Sequence, residues 1–286
     1  HPTISYIIPS IGRESVKRTL ASIEQRPGDE ILVIQLDKPS GTYGNMERQI
    51  GMEKATGDYL AFIDDDERAP AGWLKQLMDE TQRLGADGLL GPVVPKVPES
   101  APAWIRAGRF YDFPRMPTGT EVPDNQLRFG NILLRGSLVR SEPGPFDVRY
   151  ALMTGEDADL LLRLRARGAR ILWCDEAVVM EPVESSRLSF RWMLKRAYSG
   201  GQEFARKTLA GRYGPIGSAR RIRFFAECSL KLVTGGVLSL LFLLVTPILG
   251  RGRAALWLVR AAANFGKLTA FAGWTYQEYS SASASK

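Results

Sequence analysis

Histidine is all but missing: the single one in the chain is His1, at the terminus. Any chemistry here has to run without an internal imidazole, so acid–base work falls to carboxylates. Cysteine is nearly as scarce. Cys174 and Cys228 stand far apart and fit no metal-ligand spacing, which excludes a disulfide framework and points to a reducing compartment. No secretory leader and no internal repeat are visible. Acid is rare in the last hundred residues. Residues 187–286 hold 16 Lys and Arg against 3 Asp and Glu, a net +13, while residues 1–186 hold 22 against 28, a net −6. The overall +7 hides this split. A basic tail points to an anionic surface partner. Its cations flank apolar blocks instead of aromatic stacking surfaces, so the expectation is anionic membrane lipid and no nucleic acid.

What the chain does have is one unusual junction. Tyr59 to Ile63 is an apolar run of strand length, and it ends in Asp64-Asp65-Asp66-Glu67. Four adjacent carboxylates repel one another, so a fold that keeps them together needs a reason. Hard oxygen ligands at the end of a buried strand suit Mg²⁺ or Mn²⁺ gripping a phosphate. Side chains alternate along an extended chain, so Asp64 and Asp66 share a face and Asp65 points elsewhere. A solvated acidic turn is the alternative.

Around this junction the pattern alternates. Strands are expected at Ile4 to Pro9, Glu30 to Leu36, Tyr59 to Ile63 and Leu89 to Val94. Helices are expected at Ser15 to Ile23, Tyr43 to Lys54 and Pro70 to Leu84. That order predicts an α/β fold with a doubly wound, mostly parallel sheet. Residues 95–127, rich in Pro and Gly, read as a long surface excursion. Phe129 to Leu134 resumes as a strand. Thr154-Gly155-Glu156-Asp157 opens a helix with Leu160, Leu161 and Leu164 as its apolar stripe. Arg170 to Cys174 and Ala177 to Met180 are short strands, and Ser189 to Leu209 is a basic amphipathic helix.

Residues 232–249 carry no charge. As a helix they reach roughly 27 Å, just short of the ~30 Å hydrocarbon core of a bilayer. Arg220, Arg221, Arg223 and Lys231 precede them; Arg251 and Arg253 follow. A second apolar stretch, Ala254 to Trp274, carries Arg260 and Lys267. The expectation is a membrane-embedded or re-entrant hairpin, with a pair of buried core helices as the alternative. The expected organisation is a catalytic domain over 1–210, a membrane-association region over 211–279 and a disordered tail over 280–286.

Three segments, in this order and spacing, resemble family 2 glycosyltransferases of the GT-A fold: Ile-Ile-Pro-Ser at 7–10, Ala55 to Glu67, and Gly-Glu-Asp-Ala-Asp-Leu at 155–160. The resemblance spans roughly Thr3 to Arg206. Within the family the chain looks most like the bacterial membrane-associated enzymes that build exopolysaccharide repeat units, the succinoglycan type. The resemblance implies a nucleotide-sugar donor, a UDP-sugar, and a lipid-linked saccharide acceptor. It implies Mn²⁺ or Mg²⁺ as cofactor, and a catalytic domain on the cytoplasmic face of the bacterial membrane.

Residue by residue, Asp64 and Asp66 correspond to the family's DxD pair, Asp64 near the ribose and Asp66 on the metal with Asp64 as a second ligand, and Asp65 between them counts with the nucleotide-sugar contacts. Pro9, Ser10, Arg13 and Asp37 match positions lining the nucleotide pocket. Arg48 stands where the family has an Arg-Asn pair before a Gly, but Gln49 replaces the Asn. Glu181 falls where relatives place a further metal or phosphate contact. Asp157 matches the general base. Thr154 and Asp157 also approximate a capping box, which leaves Glu156 as the alternative base. Arg191-Trp192 echoes the Gln-x-x-Arg-Trp motif of processive members, with Leu188 in the Gln position, so single-sugar addition is expected. Arg187, Arg191, Trp192, Lys195 and Arg196 are the candidate acceptor or phosphate contacts. One base and one metal suffice for single displacement with inversion. Two rivals stay open: a nucleotidyltransferase making an activated sugar, and a non-catalytic membrane-attached protein that binds nucleotide-sugars.

Overall fold

Every residue of the first strand, β1 (Ile4–Ser10), is buried, so both faces of the sheet are covered at that point. The computed structural model describes residues 1–36, 45–142, 156–246 and 251–274. These divide into two compact units: His1–Lys96 with Phe113–Pro182, and Val97–Asp112 with Val183–Lys286.

In the first unit β1 is followed by α1 (Val16–Ser22), β2 (Glu30–Gln35), α2 (Asn45–Lys54), β3 (Tyr59–Phe62), α3 (Trp73–Leu84), β4 (Gly88–Leu90) and β5 (Val93–Lys96). After the second unit's α4 (Ala103–Gly108), the chain returns with β6 (Ile132–Arg135), α5 (Gly136–Arg140), α6 (Glu156–Ala166), β7 (Ile171–Trp173) and β8 (Val179–Pro182). Among the described residues six strands form one sheet in the order β2-β1-β3-β6-β4-β7. The β1–β2, β1–β3 and β4–β7 pairs are parallel, and β6 runs antiparallel to both its neighbours. The fold is thus mixed α/β with a mainly parallel sheet, as expected.

Alternate residues of each strand enter opposite cores. Ile7, Leu60, Phe62, Ile132 and Leu134 join Leu160, Leu161 and Leu164 of α6 on one face. Ile4, Tyr6, Ile8, Ala61 and Ile63 join Leu74 and Leu77 of α3 on the other. Each Ile, Leu and Phe among them contributes about 1.5–3 kcal/mol by leaving water. Gly51 lets α2 lie close on β1, because a Cβ there would meet Ile7 Cγ2 at 2.5 Å.

Three expectations are corrected. The expected strand Leu89 to Val94 is two strands in two sheets. Pro92 has no N–H to give a ladder, and its carbonyl takes the Asn131 amide and the Val179 N–H instead. Beyond it β5 pairs with β8 in a separate two-stranded sheet. The helix expected from Pro70 begins at Trp73, because Gly72 sits in the left-handed region at φ 78°. The 95–127 excursion is not merely a surface loop: Ala101, Ile105, Val122 and Leu127 are buried, and it contains the end of β5 and all of α4.

The second unit contains α7 (Phe190–Leu209), α8 (Ser218–Leu244) and α9 (Arg251–Phe271) besides α4. Ser189 caps α7, its Oγ accepting the Trp192 N–H at 3.2 Å. The backbones of α7 and α9 touch at glycines. A Cβ on Gly201 would fall 2.0 Å from the Ala263 carbonyl oxygen, and one on Gly266 would fall 2.1 Å from that of Tyr198. Gln202 Nε2 donates across the same interface to Thr269 Oγ1 at 2.9 Å. Ser239 Oγ of α8 donates to the Ala254 carbonyl at 3.0 Å. Small residues and inter-helix hydrogen bonds of this kind also pack helices in lipid. The uncharged helix expected from Leu232 begins at Ser218, so it takes in the whole basic cluster before it.

Candidate functional site

The topology brings the acid run to the first loop. Strands β1 and β3 are parallel neighbours in register, Ile7 beside Phe62, so the residues just past their carboxyl ends meet. Ser10 Oγ donates to Asp65 Oδ2 at 2.8 Å, and the Ile11 N–H donates to the same oxygen at 3.3 Å. Arg13 Nη1 lies 3.3 Å from Asp65 Oδ1 and 2.6 Å from Asp66 Oδ2. From the other side Arg48, on the helix seated by Gly51, places Nη2 2.8 Å from Asp64 Oδ1. Loops at the carboxyl ends of parallel strands are where such sheets bind nucleotides.

The four acids differ in burial as alternation demands. Asp65 and Glu67 are buried, whereas Asp64 and Asp66 are only partly covered. Asp65 ties the β1 loop to the β3 loop. Glu67 closes the acid turn from beneath: its Oε2 accepts the Asp64 N–H at 3.0 Å, and its carbonyl takes the Thr19 hydroxyl at 2.7 Å. Sequence reasoning gave Glu67 no role. Its signal was present, since the same alternation that pairs Asp64 with Asp66 sends Glu67 inward with Asp65. Asn131 was missed as well. It is buried, accepts the Trp73 Nε1–H at 2.8 Å and donates to the Pro92 carbonyl at 3.0 Å, pinning the chain next to Gly130.

Electrostatics mark this turn as short of positive charge. Asp66 is pushed up to about 6, by burial first and then by Glu181, with Arg13 opposing and Asp64 and Asp65 adding to the rise. Glu67 is raised well above the usual carboxylate range, again by burial first and then by Asp64. Glu181 lies on β8 opposite Pro95, and that strand is stitched to the acid turn where the Arg68 N–H donates to the Met180 carbonyl at 2.9 Å. Arg13 and Arg48 form ion pairs with the run.

Among the described residues no group of three or more His, Cys, Asp or Glu is assembled as a cation cage, the trio Asp64, Asp66 and Glu181 included. A cation here would draw on one or two carboxylates and complete its shell with phosphate oxygens and water. That is the usual donor set for Mg²⁺, and it fits a turn in which acids outnumber the cations facing them.

The remaining candidates divide. Pro9 and Ser10 end β1. Glu156 and Asp157 open α6, whose Leu160, Leu161 and Leu164 are locked in the core; their own side chains lie outside the described residues. Asp37 lies outside them entirely. Arg187, Arg191 and Trp192 belong to the second unit. There Trp192 packs on Tyr111 at 6.2 Å between ring centroids, and Tyr111 Oη donates to the Arg187 carbonyl at 2.9 Å.

Residues 14–135 match the family model for Glycosyl transferase family 2. The chain is 33% identical over 165 residues to the succinoglycan biosynthesis protein ExoM of Rhizobium meliloti (strain 1021), covering 57% of this chain and 52% of that protein. It is 29% identical over 163 residues to the pre-mycofactocin glycosyltransferase of Mycobacterium tuberculosis, covering 54% of this chain and 33% of that one. The chain therefore spans about half the length of the first relative and a third of the second. The crystal structure of S. aureus TarS superimposes with a TM-score of 0.50 at 16% identity, over 95% of this chain and 55% of that one, a likeness of fold. Of the three segments, Ala55 to Glu67 lies inside the matched stretch, so residues 14–135 resemble family 2 glycosyltransferases.

Proposed function

We propose that the protein transfers a single sugar, with inversion, from a nucleotide-sugar to a lipid-linked saccharide in bacterial exopolysaccharide assembly. The donor is a UDP-sugar, and the work is done at the cytoplasmic face of the cytoplasmic membrane. One observation carries the reading: Asp64, Asp65 and Asp66 stand at the mouth of β3, in contact with Ser10 at the end of β1, Arg13 in the loop after it and Arg48 from α2. The names of the two relatives, a succinoglycan biosynthesis protein and a glycosyltransferase, support the substrate class.

In this reading Asp64 and Asp66, with Glu181 nearby, hold Mn²⁺ or Mg²⁺. When bound, the ion supplies Lewis-acid stabilisation to the departing diphosphate. Asp65 keeps the β1 and β3 loops together, so that Pro9, Ser10 and Arg13 wall the nucleotide, with Asp37 at the base or ribose. Arg13 and Arg48, which pair with the acids, exchange those partners for phosphate oxygens of the donor. Asp157 takes the proton from the acceptor hydroxyl as that oxygen bonds to the anomeric carbon. The bond from that carbon to the diphosphate oxygen breaks, and the electron pair leaves with the nucleotide. Glu156 is the second choice as base. Arg187, Arg191 and Trp192 attend the acceptor.

The test is a transfer assay with UDP-sugars, a membrane-lipid acceptor fraction and Mn²⁺, on the wild type, Asp66→Ala and Asp157→Asn. Loss of turnover in both variants supports the assignment. Full activity in both would falsify it.

A further inference from the structure

The second unit contains an open trough of about 480 Å³. Helix α9 packs against both α7 and α8 and forms the floor, through Leu258, Ala262 and Phe265. Leu194 and Tyr198 of α7 line one side, and Leu232 of α8 lines the other. The lining is almost wholly apolar, so it offers a sugar or a nucleotide nothing to bond to. A hydrocarbon chain gains there what the exposed Leu258 and Phe265 now lose to water. One cation stands in the lining, Lys195, exposed and without an ion pair among the described residues.

We propose that this trough holds the hydrocarbon chain of the acceptor lipid, with its phosphate against Lys195. The proposal rests on the acceptor being lipid-linked. An apolar slot with one unpaired cation complements a long apolar chain that ends in an anion. The neighbouring helix keeps that ligand within reach, because the outward side of α8 shows Val233, Val237, Leu240, Leu241 and Leu244 to the surroundings. Among the described residues α8 is the one helix long and apolar enough to cross a membrane, with a mean hydropathy of 1.7 over its most apolar window. A neutral lipid tail alone would not call for Lys195, and a soluble anion would not call for the apolar floor.

The probe is decaprenyl monophosphate, with decaprenol as the neutral control, offered to the full chain in non-ionic detergent micelles and read by native mass spectrometry. The wild type should retain the phosphate about fivefold better than the alcohol, the preference one cation provides near an anion. Ala262→Trp fills the trough and Leu258→Asp charges its floor; each should cut retention tenfold or more. Lys195→Gln should erase the preference for phosphate and leave alcohol retention in place. Should Ala262→Trp and Leu258→Asp, both folded by circular dichroism, retain the phosphate like the wild type, the trough is not its site. A diazirine-bearing isoprenyl phosphate guards against misfolded variants, because it needs only the wild type. Labelling of residues 258–265 supports the proposal. Labelling confined to the outer face of α8 means general contact with lipid and overturns it. Calorimetry with UDP on the same wild-type sample separates the two readings. Isoprenyl phosphate held in the trough without any UDP binding sinks the transferase proposal alone, and UDP bound with no lipid in the trough sinks this one alone.

Discussion

Leucine meets opposite fates in the two units. Leu160, Leu161 and Leu164 on α6 are wholly buried, while Leu240 and Leu244 on α8 are 64% and 79% exposed. Helix α6 needs its stripe because it must seat on a sheet and hold the position of its first turn, where Glu156 and Asp157 stand. Helix α8 hides only Cys228, Gly235 and Ser239, a narrow line of small residues against α9, and leaves its bulk outside. Water is a poor surrounding for such a surface. The contrast separates a unit whose apolar residues fill a core from one whose apolar residues stay largely exposed. Only 17% of the most apolar window of α8 is buried, whereas a core helix would be covered.

The largest effects should fall on chemistry in the first unit. Asp157→Asn and Asp66→Ala should each lower kcat by roughly 100-fold to 10,000-fold, the range for losing a general base or its electrostatic counterpart. Sedimentation with anionic vesicles should not change in either variant. A variant that lost attachment and turnover together would break the division of labour.

Next in size are the leucines themselves. Leu161→Ala should cost about 2–5 kcal/mol of stability, the range for truncating a fully buried Leu. Leu241→Ala, in detergent, should stay within about 0.5 kcal/mol. Denaturant melts of the two proteins check this directly. Equal losses would mean that α8 is covered in solution, and the comparison would fail.

Smaller still is the electrostatic share of attachment. Arg220, Arg221 and Arg223 lie on the first turns of α8 and are exposed. Each cation near an anionic surface contributes about 1 kcal/mol, so Arg221→Gln should weaken binding to phosphatidylserine vesicles about fivefold. Binding to neutral vesicles should be unchanged. Leu240→Glu with Leu244→Glu should weaken both. If the arginine variant alone reduced neutral binding, the cations would be serving some other contact.

The sequence showed the acid turn because an apolar run breaking into carboxylates is a local signal, and local signals survive without coordinates. Strand direction is not local. The pattern Ile132-Leu133-Leu134 reads the same whichever way it runs, so the antiparallel course of β6 between β3 and β4 could not be read. The split of Leu89 to Val94 was foreshadowed by Pro92, but continuous apolar composition on both sides masked it. The start of α8 was missed for the opposite reason: residues 218–231 mix arginine with Phe224, Phe225 and Leu230, and charge counts against an apolar run even where one helix continues through it. Glu67 was seen as an acid and not as a buried one, because burial depends on Thr19 and on the loop around Gly130, far away in sequence.

The smallest expected effect sharpens the first unit's side of the comparison. Asp66 titrates near 6 in the fold, against 3.8 for the ordinary group. A raised carboxylate holds its proton more tightly folded than unfolded, so stability must fall as pH climbs from about 3.8 to about 6 and level off above. Asn at this position resembles the protonated acid at every pH. The difference in melting temperature, Asp66→Asn minus wild type, should therefore be near zero below pH 4, grow through pH 5 and 6, and flatten beyond. Mn²⁺ with UDP should narrow that difference at pH 7, because a divalent cation offsets the same crowding of charge that the amide removes, and it should do so progressively less toward pH 5, where protons compete for the ligand. A difference that shrinks with rising pH would mean that Arg13 outweighs burial and Glu181. Asp66 would then be a simple ion-pair partner, and the case for a cation at the mouth of β3 would lose its electrostatic support.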